Sequence, residues 1–398
     1  MFNEYNPMQY LAIDIANYFG HDKMEYEDRI EWVKKNIDDL ELLSTIADEP
    51  YLYMKAVNAL RQTQQGQEVG HTVALDAICS GLQIMSAVMG CKAGCTLTGL
   101  VLPNKRTDAY TLLTQSMNEH MDEDIEISRA EAKSAVMKGF YGSVKVPKEI
   151  FGDLLPQFFE TLERECPGAY ELLELLRNAW NPDVDINSWA LPDGHQAVVP
   201  VTTTIETKVH VEELRYTPVV RVQVIESTEK GVSLISNVVH SIDAYVLRTL
   251  IRRCNYSPRK LNDALKYLKT AYISNEESVQ SRRYEETNIV DMTMLDEVDI
   301  RTMATYPPAM RAALIRMIEM SLKHKPFEII TIHDSFACSP VNCNQMRRVY
   351  ADIMGDLVES TIIDDILNQL YQSDAVVEKR DNVQELATIV RQSNYGIS

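Results

Sequence analysis

The sequence predicts a helix-rich α+β chain built from two or three lobes. Glycine is scarce, 15 of 398 residues, which is about half its usual share and favours long helices over many short strands. Amphipathic spacing predicts helices at 26–47, 106–141, 156–180 and 237–253, with Ser128 as the cap before Arg129. Alternating β-branched residues at 195–228 predict a hairpin. An apolar strand, turn and strand, FEIITIHDSFACSP, places His333 and Asp334 at a second hairpin tip.

Composition excludes several classes of protein. With 45% apolar and 24% charged residues, the chain is neither disordered nor a fibrous rod. The longest apolar stretch, 73–93, contains Asp76 and Lys92, so it predicts buried core rather than a membrane span. The amino terminus has no basic region before its apolar residues, unlike a signal peptide. Seven scattered cysteines predict reduced thiols, and the expected location is the cytoplasm.

The charge balance constrains the partners. Lys and Arg number 39 against 58 Asp and Glu, a net charge of −19. Such a surface repels polyphosphate, so a nucleic acid would have to enter a local basic groove or arrive with a basic partner.

Two aspartates close apolar strands far apart in the sequence. Asp76 ends HTVALD, and Asp334 lies within ITIHDSF. Two carboxylates about 4 Å apart repel by roughly 4 kcal/mol at an effective dielectric of 20, and Mg²⁺, which prefers oxygen ligands, would offset this. The alternative is that each aspartate caps a turn or a helix.

A stripe of chemically distinct residues follows at steps of four. Arg129, Lys133, Met137 and Tyr141 lie on one helix face, and Gly142 is expected to end the helix. Two cations and an aromatic ring on one face suit a nucleotide triphosphate and its sugar. The alternative is a solvated charged face over a buried Met and Tyr.

Together these segments resemble the single-subunit RNA polymerases of T-seven-type phages and mitochondria. DAICSGLQIMSA, from Asp76, is similar to that family's motif A. The run Arg129, Lys133, Met137, Tyr141 and Gly142 matches its motif B, and HDS, from His333, matches its motif C. The resemblance implies a right-hand polymerase palm, a small antiparallel sheet with helices, together with fingers.

Shorter segments extend the resemblance. NVVHSIDAYVLR is similar to a segment that implies His240 near the incoming ribose. SWALPDG is similar to the family's Trp-x2-Pro-Asp-Gly turn. The resemblance also implies that Lys23 contacts the triphosphate and that Tyr110 lies in the fingers near the active site.

The resemblance implies two-metal nucleotidyl transfer. Asp76, Asp334 and the carbonyl of Ala77 would hold two Mg²⁺ ions. The β- and γ-phosphates would bind Arg129 and Lys133, with Lys133 as the candidate acid.

Gly81 favours ribonucleotides. It stands five residues after Asp76, where DNA polymerases of the superfamily carry a glutamate that blocks the 2′-hydroxyl. Tyr141 and His240 are the candidates for recognising that hydroxyl. A basic run, 252–260, is expected either to track a strand or to be a solvated helix face.

The expected organisation is a first part of the palm at 1–105 and fingers at 106–240, with a specificity-loop-like hairpin at 195–231. A second part of the palm follows at 241–398, with an exposed acidic insertion at 270–305. The thumb is expected to be absent and supplied by a second subunit, as in the two-chain RNA polymerases of N-four-like bacteriophages, whose large catalytic subunit this chain resembles.

Under this reading the chain transcribes phage genes in the host cytoplasm from a single-stranded or melted DNA template into RNA. It would use ribonucleoside triphosphates and be aided by a single-stranded-DNA-binding or promoter-delivery factor. Two alternatives are a DNA polymerase or primase of the same superfamily and a catalytically silent scaffold.

Overall fold

The computed structural model describes residues 2–102, 105–120, 126–181, 183–226, 233–371 and 374–398. Most of these residues lie in α-helices. The helices are α1 (Pro7–Ala16), α2 (Tyr26–Lys35), α3 (Leu40–Leu43), α4 (Pro50–Gln64), α5 (Ser80–Val88), α6 (Lys92–Leu97), α7 (Ala109–Glu119), α8 (Arg129–Phe140), α9 (Lys145–Phe151), α10 (Leu155–Glu165), α11 (Pro167–Asn178), α12 (Ser233–Cys254), α13 (Pro258–Thr270), α14 (Val279–Thr287), α15 (Ile300–Ala304), α16 (Pro308–Ser321), α17 (Cys343–Glu359), α18 (Ile362–Tyr371) and α19 (Val383–Val390).

The strands form three small antiparallel sheets. They are β1 (Val73–Asp76), β2 (Ile186–Ala190), β3 (Gln196–Pro200), β4 (Thr202–Lys208), β5 (Val219–Ile225), β6 (Ile330–Ile332) and β7 (Ser335–Cys338). One sheet has the order β1-β7-β6, and β2-β3 and β4-β5 are separate two-stranded ribbons. The predicted hairpin at 195–228 is confirmed by β4 and β5. The helix-rich α+β class is also confirmed.

The three-stranded sheet brings two distant segments together. β1 pairs with β7 so that Asp76 lies opposite Ser335, and β6 pairs with β7 so that Ile332 also lies opposite Ser335. Only His333 and Asp334 remain between β6 and β7, and His333 adopts a left-handed φ of 55°, as a two-residue hairpin turn requires. The predicted strand–turn–strand at this position is confirmed.

A buried glutamine fixes the helix that follows β1. The Gln83 side chain is fully buried in α5. Its amide donates to the carbonyls of Thr98 and Gly396 at 2.9 and 3.0 Å, and it accepts the Tyr350 hydroxyl of α17 at 2.5 Å. Because all three bonds are buried, they hold α5 in one position against α17 and the 396–398 segment.

The β2-β3 ribbon is bound to α12. Trp189 is buried and donates its indole N–H to Ser241 at 3.0 Å. In the turn of the ribbon, Asp193 accepts hydrogen bonds from Arg248 and Arg252 at 2.7 and 3.0 Å. The Trp-x2-Pro-Asp-Gly segment therefore fixes α12, the helix that carries His240.

Three of the predicted helices break where the sequence offers a cap. The single helix predicted at 26–47 was wrong, and the helical stretches predicted at 106–141 and 156–180 each contain two described helices. Asn36 caps α2. Ser128 forms a capping box with Glu131 at the start of α8, which confirms the predicted cap. Pro167 is the first residue of α11, a position that proline favours because its missing N–H is not needed there.

The basic run at 252–260 is largely neutralised inside the protein. Arg252 pairs with Asp193 and Asp291, and Lys260 pairs with Asp296. The Arg253 side chain is buried and belongs to an ion-pair cluster that we call the buried arginine network. Its members are Arg253, Arg316, Arg391, Asp352, Asp356 and Glu359. Both alternatives predicted for this run were therefore wrong for Arg253, which neither tracks a strand nor lies on a solvated helix face.

The expected exposed insertion is folded. A second hydrophobic core lies between α12 and β6, built from α13, α15, α16 and the turn before α15. Within the acidic stretch, Val290, Met292, Met294 and Leu295 are buried in it. The predicted exposure is confirmed for most of the acidic residues, including Glu276, Glu285 and Glu297, but the apolar residues between them pack into the second core. The two ends of the unit lie side by side, because the Phe327 N–H donates to the Cys254 carbonyl at 3.0 Å.

Other sequence expectations concern membranes and cysteines. Across the described ranges, no helix combines the length and apolarity needed to cross a bilayer. All seven cysteines have free thiols, as predicted.

Candidate active site

A cavity of about 290 Å³ lies where the β1–α5 loop, α7, α8, α12 and the β6–β7 turn meet. The residues that line it come from all three resembling motifs: Cys79, Ser80, Gly81, Leu82, Tyr110, Val136, Met137, Phe140, Tyr141, His240, Asp243, His333 and Asp334. Five predicted site residues thus share one cavity wall: Gly81, Tyr110, Tyr141, His240 and Asp334.

The two strand-end aspartates are neighbours. Asp76 is exposed at the end of β1, and Asp334 is half-buried in the hairpin turn. The Ala77 N–H donates to the Asp334 carbonyl at 2.9 Å, which holds the two peptide segments side by side. Burial raises the pKa of Asp334, and the charge of Asp76 raises it further. The carboxylates therefore repel each other in the protein alone.

These residues fit Mg²⁺ by their chemistry. A divalent cation would offset the repulsion that raises the pKa of Asp334, and both side chains are oxygen donors. Within the part of the chain that the structure describes, no three or more His, Cys, Asp or Glu side chains gather as a metal-binding group. Mg²⁺ usually binds one or two carboxylates and completes its ligands with water and substrate phosphates, so two aspartates suffice.

Tyr141 fills the space beside Gly81. A Cβ added to Gly81 would lie 2.5 Å from the Tyr141 hydroxyl oxygen and 3.0 Å from Cζ. Tyr141 caps α8, and Gly142 follows with a positive φ of 86°, so the helix ends as predicted. The Tyr141 and His240 rings lie 4.8 Å apart between centroids. Burial raises the pKa of Tyr141 and lowers that of His240, so both rings are neutral at pH 7.

Tyr110 connects the loop after β1 with α8. Its hydroxyl donates to the Cys79 sulfur at 3.1 Å. The charged groups of Arg129 and Lys133 lie over its ring, 5.9 and 5.5 Å from the centroid. The charge of Lys133 also lowers the pKa of Asp334. Lys133 therefore acts on the carboxylate centre, while both cations share the Tyr110 ring.

Arg129 is held by a partner that the sequence analysis did not consider. Asp108 caps α7 and accepts from Arg129 Nε and Nη2 at 3.0 and 2.7 Å, and Thr111 Oγ1 accepts from Nε at 3.1 Å. Its Nη1 makes none of these bonds. A signal for the pair was available, because Asp108 precedes Tyr110 at a helix start.

Lys23 does not line the cavity. Its ammonium group is exposed and pairs with Asp22. Contacts continue from Asp22 to β1. The charge of Arg106 acts on Asp22, and Arg106 Nε donates to Ser398 Oγ at 3.0 Å. The Ser398 N–H in turn donates to the Asp76 carbonyl at 2.9 Å. Arg106 was not predicted, although it closes the basic pair KR shortly after motif A.

Asp243 also lines the cavity; it is the aspartate of the segment NVVHSIDAYVLR, whose resemblance to the family's Asn-x2-His-Ser-x-Asp segment implied a role only for His240. It lies one helical turn after His240 and is half-buried. Burial and the charge of Asp334 raise its pKa to about 6. The available signal was its spacing of three from His240, which places both side chains on one helix face.

Comparison with known proteins gives partial matches. A family model described as DNA-dependent RNA polymerase matches residues 3–147. The chain is 28% identical over 134 residues to a DNA-directed RNA polymerase of Pseudomonas phage phiKMV, covering 29% of this chain and 16% of that protein. It is 26% identical over 172 residues to a probable DNA-directed RNA polymerase of Neurospora crassa, covering 38% and 19%. It is 29% identical over 136 residues to the mitochondrial DNA-directed RNA polymerase 1 of Arabidopsis thaliana, covering 30% and 14%.

The aligned segments span less than a fifth of each of these relatives. The family match at residues 3–147 includes Asp76, Lys133 and Tyr141. His240 and Asp334 lie outside it. The family match therefore rests on the first part of the chain, and the fold brings the later residues to the same cavity.

Proposed function

We propose that this chain is the catalytic subunit of a DNA-directed RNA polymerase, which adds ribonucleotides to an RNA 3′-hydroxyl on a DNA template. The observation that carries the proposal is the single cavity formed by Gly81, Tyr110, Tyr141, His240 and Asp334. Residues from segments more than 250 positions apart converge there. The match of residues 3–147 to DNA-dependent RNA polymerases supports the same activity.

In the proposed mechanism, the two aspartates and Lys133 bind the metal ions and the triphosphate. Asp76 and Asp334 would hold Mg²⁺ with the Ala77 carbonyl, and the ions supply charge neutralisation at the attacking and leaving oxygens when bound. Lys133 would bind the triphosphate and donate a proton toward the leaving pyrophosphate. Its position supports this, since its charge already acts on Asp334.

Arg129 and Lys23, the other two predicted cations, lie outside the cavity and are proposed to bind the triphosphate. Arg129 would bind the triphosphate through Nη1 while Asp108 holds Nε and Nη2. Lys23 would reach the triphosphate after leaving Asp22. Tyr110 would support both motif B cations through its ring.

Sugar selection is assigned to the other end of the cavity. Gly81 has no side chain, and the Tyr141 hydroxyl stands beside it. This hydroxyl and the neutral His240 imidazole are placed to hydrogen-bond a ribose 2′-hydroxyl. With glycine at position 81, no side chain there would block a 2′-hydroxyl, and these hydrogen bonds would favour ribonucleotides over deoxyribonucleotides.

We further propose that template binding needs a second subunit, as in the two-chain RNA polymerases of N-four-like bacteriophages. The net charge of −19 repels DNA. Arg252 and Arg253 are neutralised by internal carboxylates, so they offer no template groove. The template would be single-stranded or melted and delivered by a further factor, and the genes transcribed would be those of a phage.

Primer extension tests this function. The chain is mixed with an RNA primer on a single-stranded DNA template, Mg²⁺ and four ribonucleotides, with and without co-expressed neighbouring phage proteins. The matched control is Asp334→Asn. Extension that the control lacks supports the proposal, and dependence on a second protein supports the two-subunit arrangement. A preference for deoxyribonucleotides would indicate a DNA polymerase, and no extension in any mixture would indicate a silent scaffold.

A further inference from the structure

Asp243 is a cavity-lining carboxylate with no assigned role. It lies on α12 three residues after His240 and shares the cavity with Tyr141, Gly81 and Asp334. It is half-buried. Among the residues that the structure describes, none hydrogen-bonds or ion-pairs with its carboxylate. Its carboxylate faces the cavity without a donor from the described residues, so a donor that arrives with a ligand would find a free acceptor there.

The neighbours of Asp243 indicate which donor fits. Tyr141 lies close enough for the charge of Asp243 to act on its hydroxyl, and the Tyr141 and His240 rings are 4.8 Å apart. A ribose hydroxyl can both accept and donate one hydrogen bond. The Tyr141 O–H is a donor, and an ionised carboxylate only accepts. A hydroxyl bound beside both groups would therefore accept from Tyr141 and donate to Asp243.

A metal ligand is the competing role for this carboxylate. Asp334 and Asp76 meet through the paired strand ends of β1 and β7, whereas Asp243 comes from a helix and lines the wall shared with Tyr141 and His240. Asp334 belongs to the aspartate pair with Asp76 and also lines the cavity beside Tyr141 and His240. The placement on the His240 face of α12 favours the sugar side of the cavity.

We infer that the Asp243 carboxylate accepts a hydrogen bond from the ribose 2′-hydroxyl of the incoming nucleotide, so that Asp243 determines sugar specificity together with Tyr141. The inference rests on the proposed function and deepens it. Carboxylates accept hydrogen bonds from ribose 2′-hydroxyls in dinucleotide sites as well.

The test compares single additions of ATP, 2′-deoxy-ATP and 2′-fluoro-ATP by the complete polymerase. The fluorine leaves no proton to donate to a carboxylate. For the wild type, kcat/KM should fall by about tenfold or more from ATP to either analogue, the range of a hydrogen bond to a charged group. In Asp243→Asn, kcat/KM for ATP should fall toward kcat/KM for the two analogues. For the analogues themselves, kcat/KM should change less than about twofold. The matched carboxylate-to-amide control is Asp38→Asn, at an exposed loop position.

Several results would overturn the inference. Equal use of 2′-fluoro-ATP and ATP by the wild-type enzyme would overturn it. This result needs no variant, so the inference can be tested even if Asp243→Asn does not fold. Equal losses with all three nucleotides would indicate a structural role. A raised Mg²⁺ requirement with unchanged sugar selection would make Asp243 a metal ligand. Failure of the wild type to extend any primer would instead remove the proposed function.

Discussion

Gly81→Ala tests whether the Tyr141 hydroxyl occupies the sugar end of the cavity. The new Cβ would lie 2.5 Å from the hydroxyl oxygen, 3.0 Å from Cζ and 3.3 Å from Cε1. Ordinary contacts begin at about 3.5 Å, so the phenol ring must move by about 1 Å. Gly81 lies in the first turn of α5, and its neighbour Gln83 is fixed by three buried hydrogen bonds. Tyr141 is therefore the residue that moves.

The structure separates the effect on stability from the effect on activity. Overpacking costs about 1–3 kcal/mol, and alanine in place of glycine returns about 1 kcal/mol of helix propensity. The free energy of unfolding should therefore fall by only about 0–2 kcal/mol. A misplacement of 1 Å at a reacting site costs on the order of 100-fold in rate, so ribonucleotide kcat/KM should fall much further.

A double-mutant cycle with Tyr141→Phe measures the contact directly. The second change removes the oxygen at 2.5 Å and leaves Cζ at 3.0 Å, so Gly81→Ala should cost less in the phenylalanine background. The expected coupling is about 1 kcal/mol or more in both urea unfolding and ribonucleotide kcat/KM. Strictly additive effects would refute the claim that Tyr141 lies against Gly81. By itself, Tyr141→Phe should relax selection against deoxyribonucleotides while extension survives.

Three further predictions concern catalysis and stability. Asp334→Asn should abolish primer extension and leave the melting temperature within a few degrees, and retained extension would contradict its role. Gln83→Met should lower the free energy of unfolding by about 3 kcal/mol in urea, because three buried partners lose their bond; a neutral result would contradict this. Burial would raise the pKa of Asp356, but Arg253, Arg316 and Arg391 lower it to about 2. Its stabilisation of about 2 kcal/mol relative to Asp356→Asn should persist above pH 4 and vanish as the pH falls to 2, and a gap that stays constant across this range would contradict it.

The sequence predicted best where local pattern and tertiary structure agree. The β6–β7 turn, the cap at Ser128 and the helix end at Gly142 follow from short-range chemistry. The helical stretches predicted at 106–141 and 156–180 are divided at the cap Ser128 and at Pro167, and the first of these breaks was predicted. The acidic stretch is exposed at most of its carboxylates, as predicted, but the apolar residues between them are buried, which its acidic composition did not indicate.

The candidate site likewise contains residues that the sequence predicted and contacts that it did not predict. The motif residues that share the cavity were predictable from spacing and resemblance. The Arg129–Asp108 pair was not, because it joins the starts of two helices and depends on the angle at which they pack. Asp243 belongs to a segment that resembles the family, but its place in the cavity beside Asp334 needed the fold, as did the contact of Cys79 with Tyr110.

The hydrogen bond between Phe327 and Cys254 has a consequence for how this chain tolerates change. The helical unit with the second core departs and returns at adjacent points, and it is also bound to the body where Asp291 pairs with Arg252 and Arg316 pairs with Asp352. The distance between the side chains of His240 and Asp334 is set by α12 and the three-stranded sheet. A change of chain length within the unit that leaves these ion pairs and the Phe327–Cys254 bond intact should therefore leave that distance unchanged.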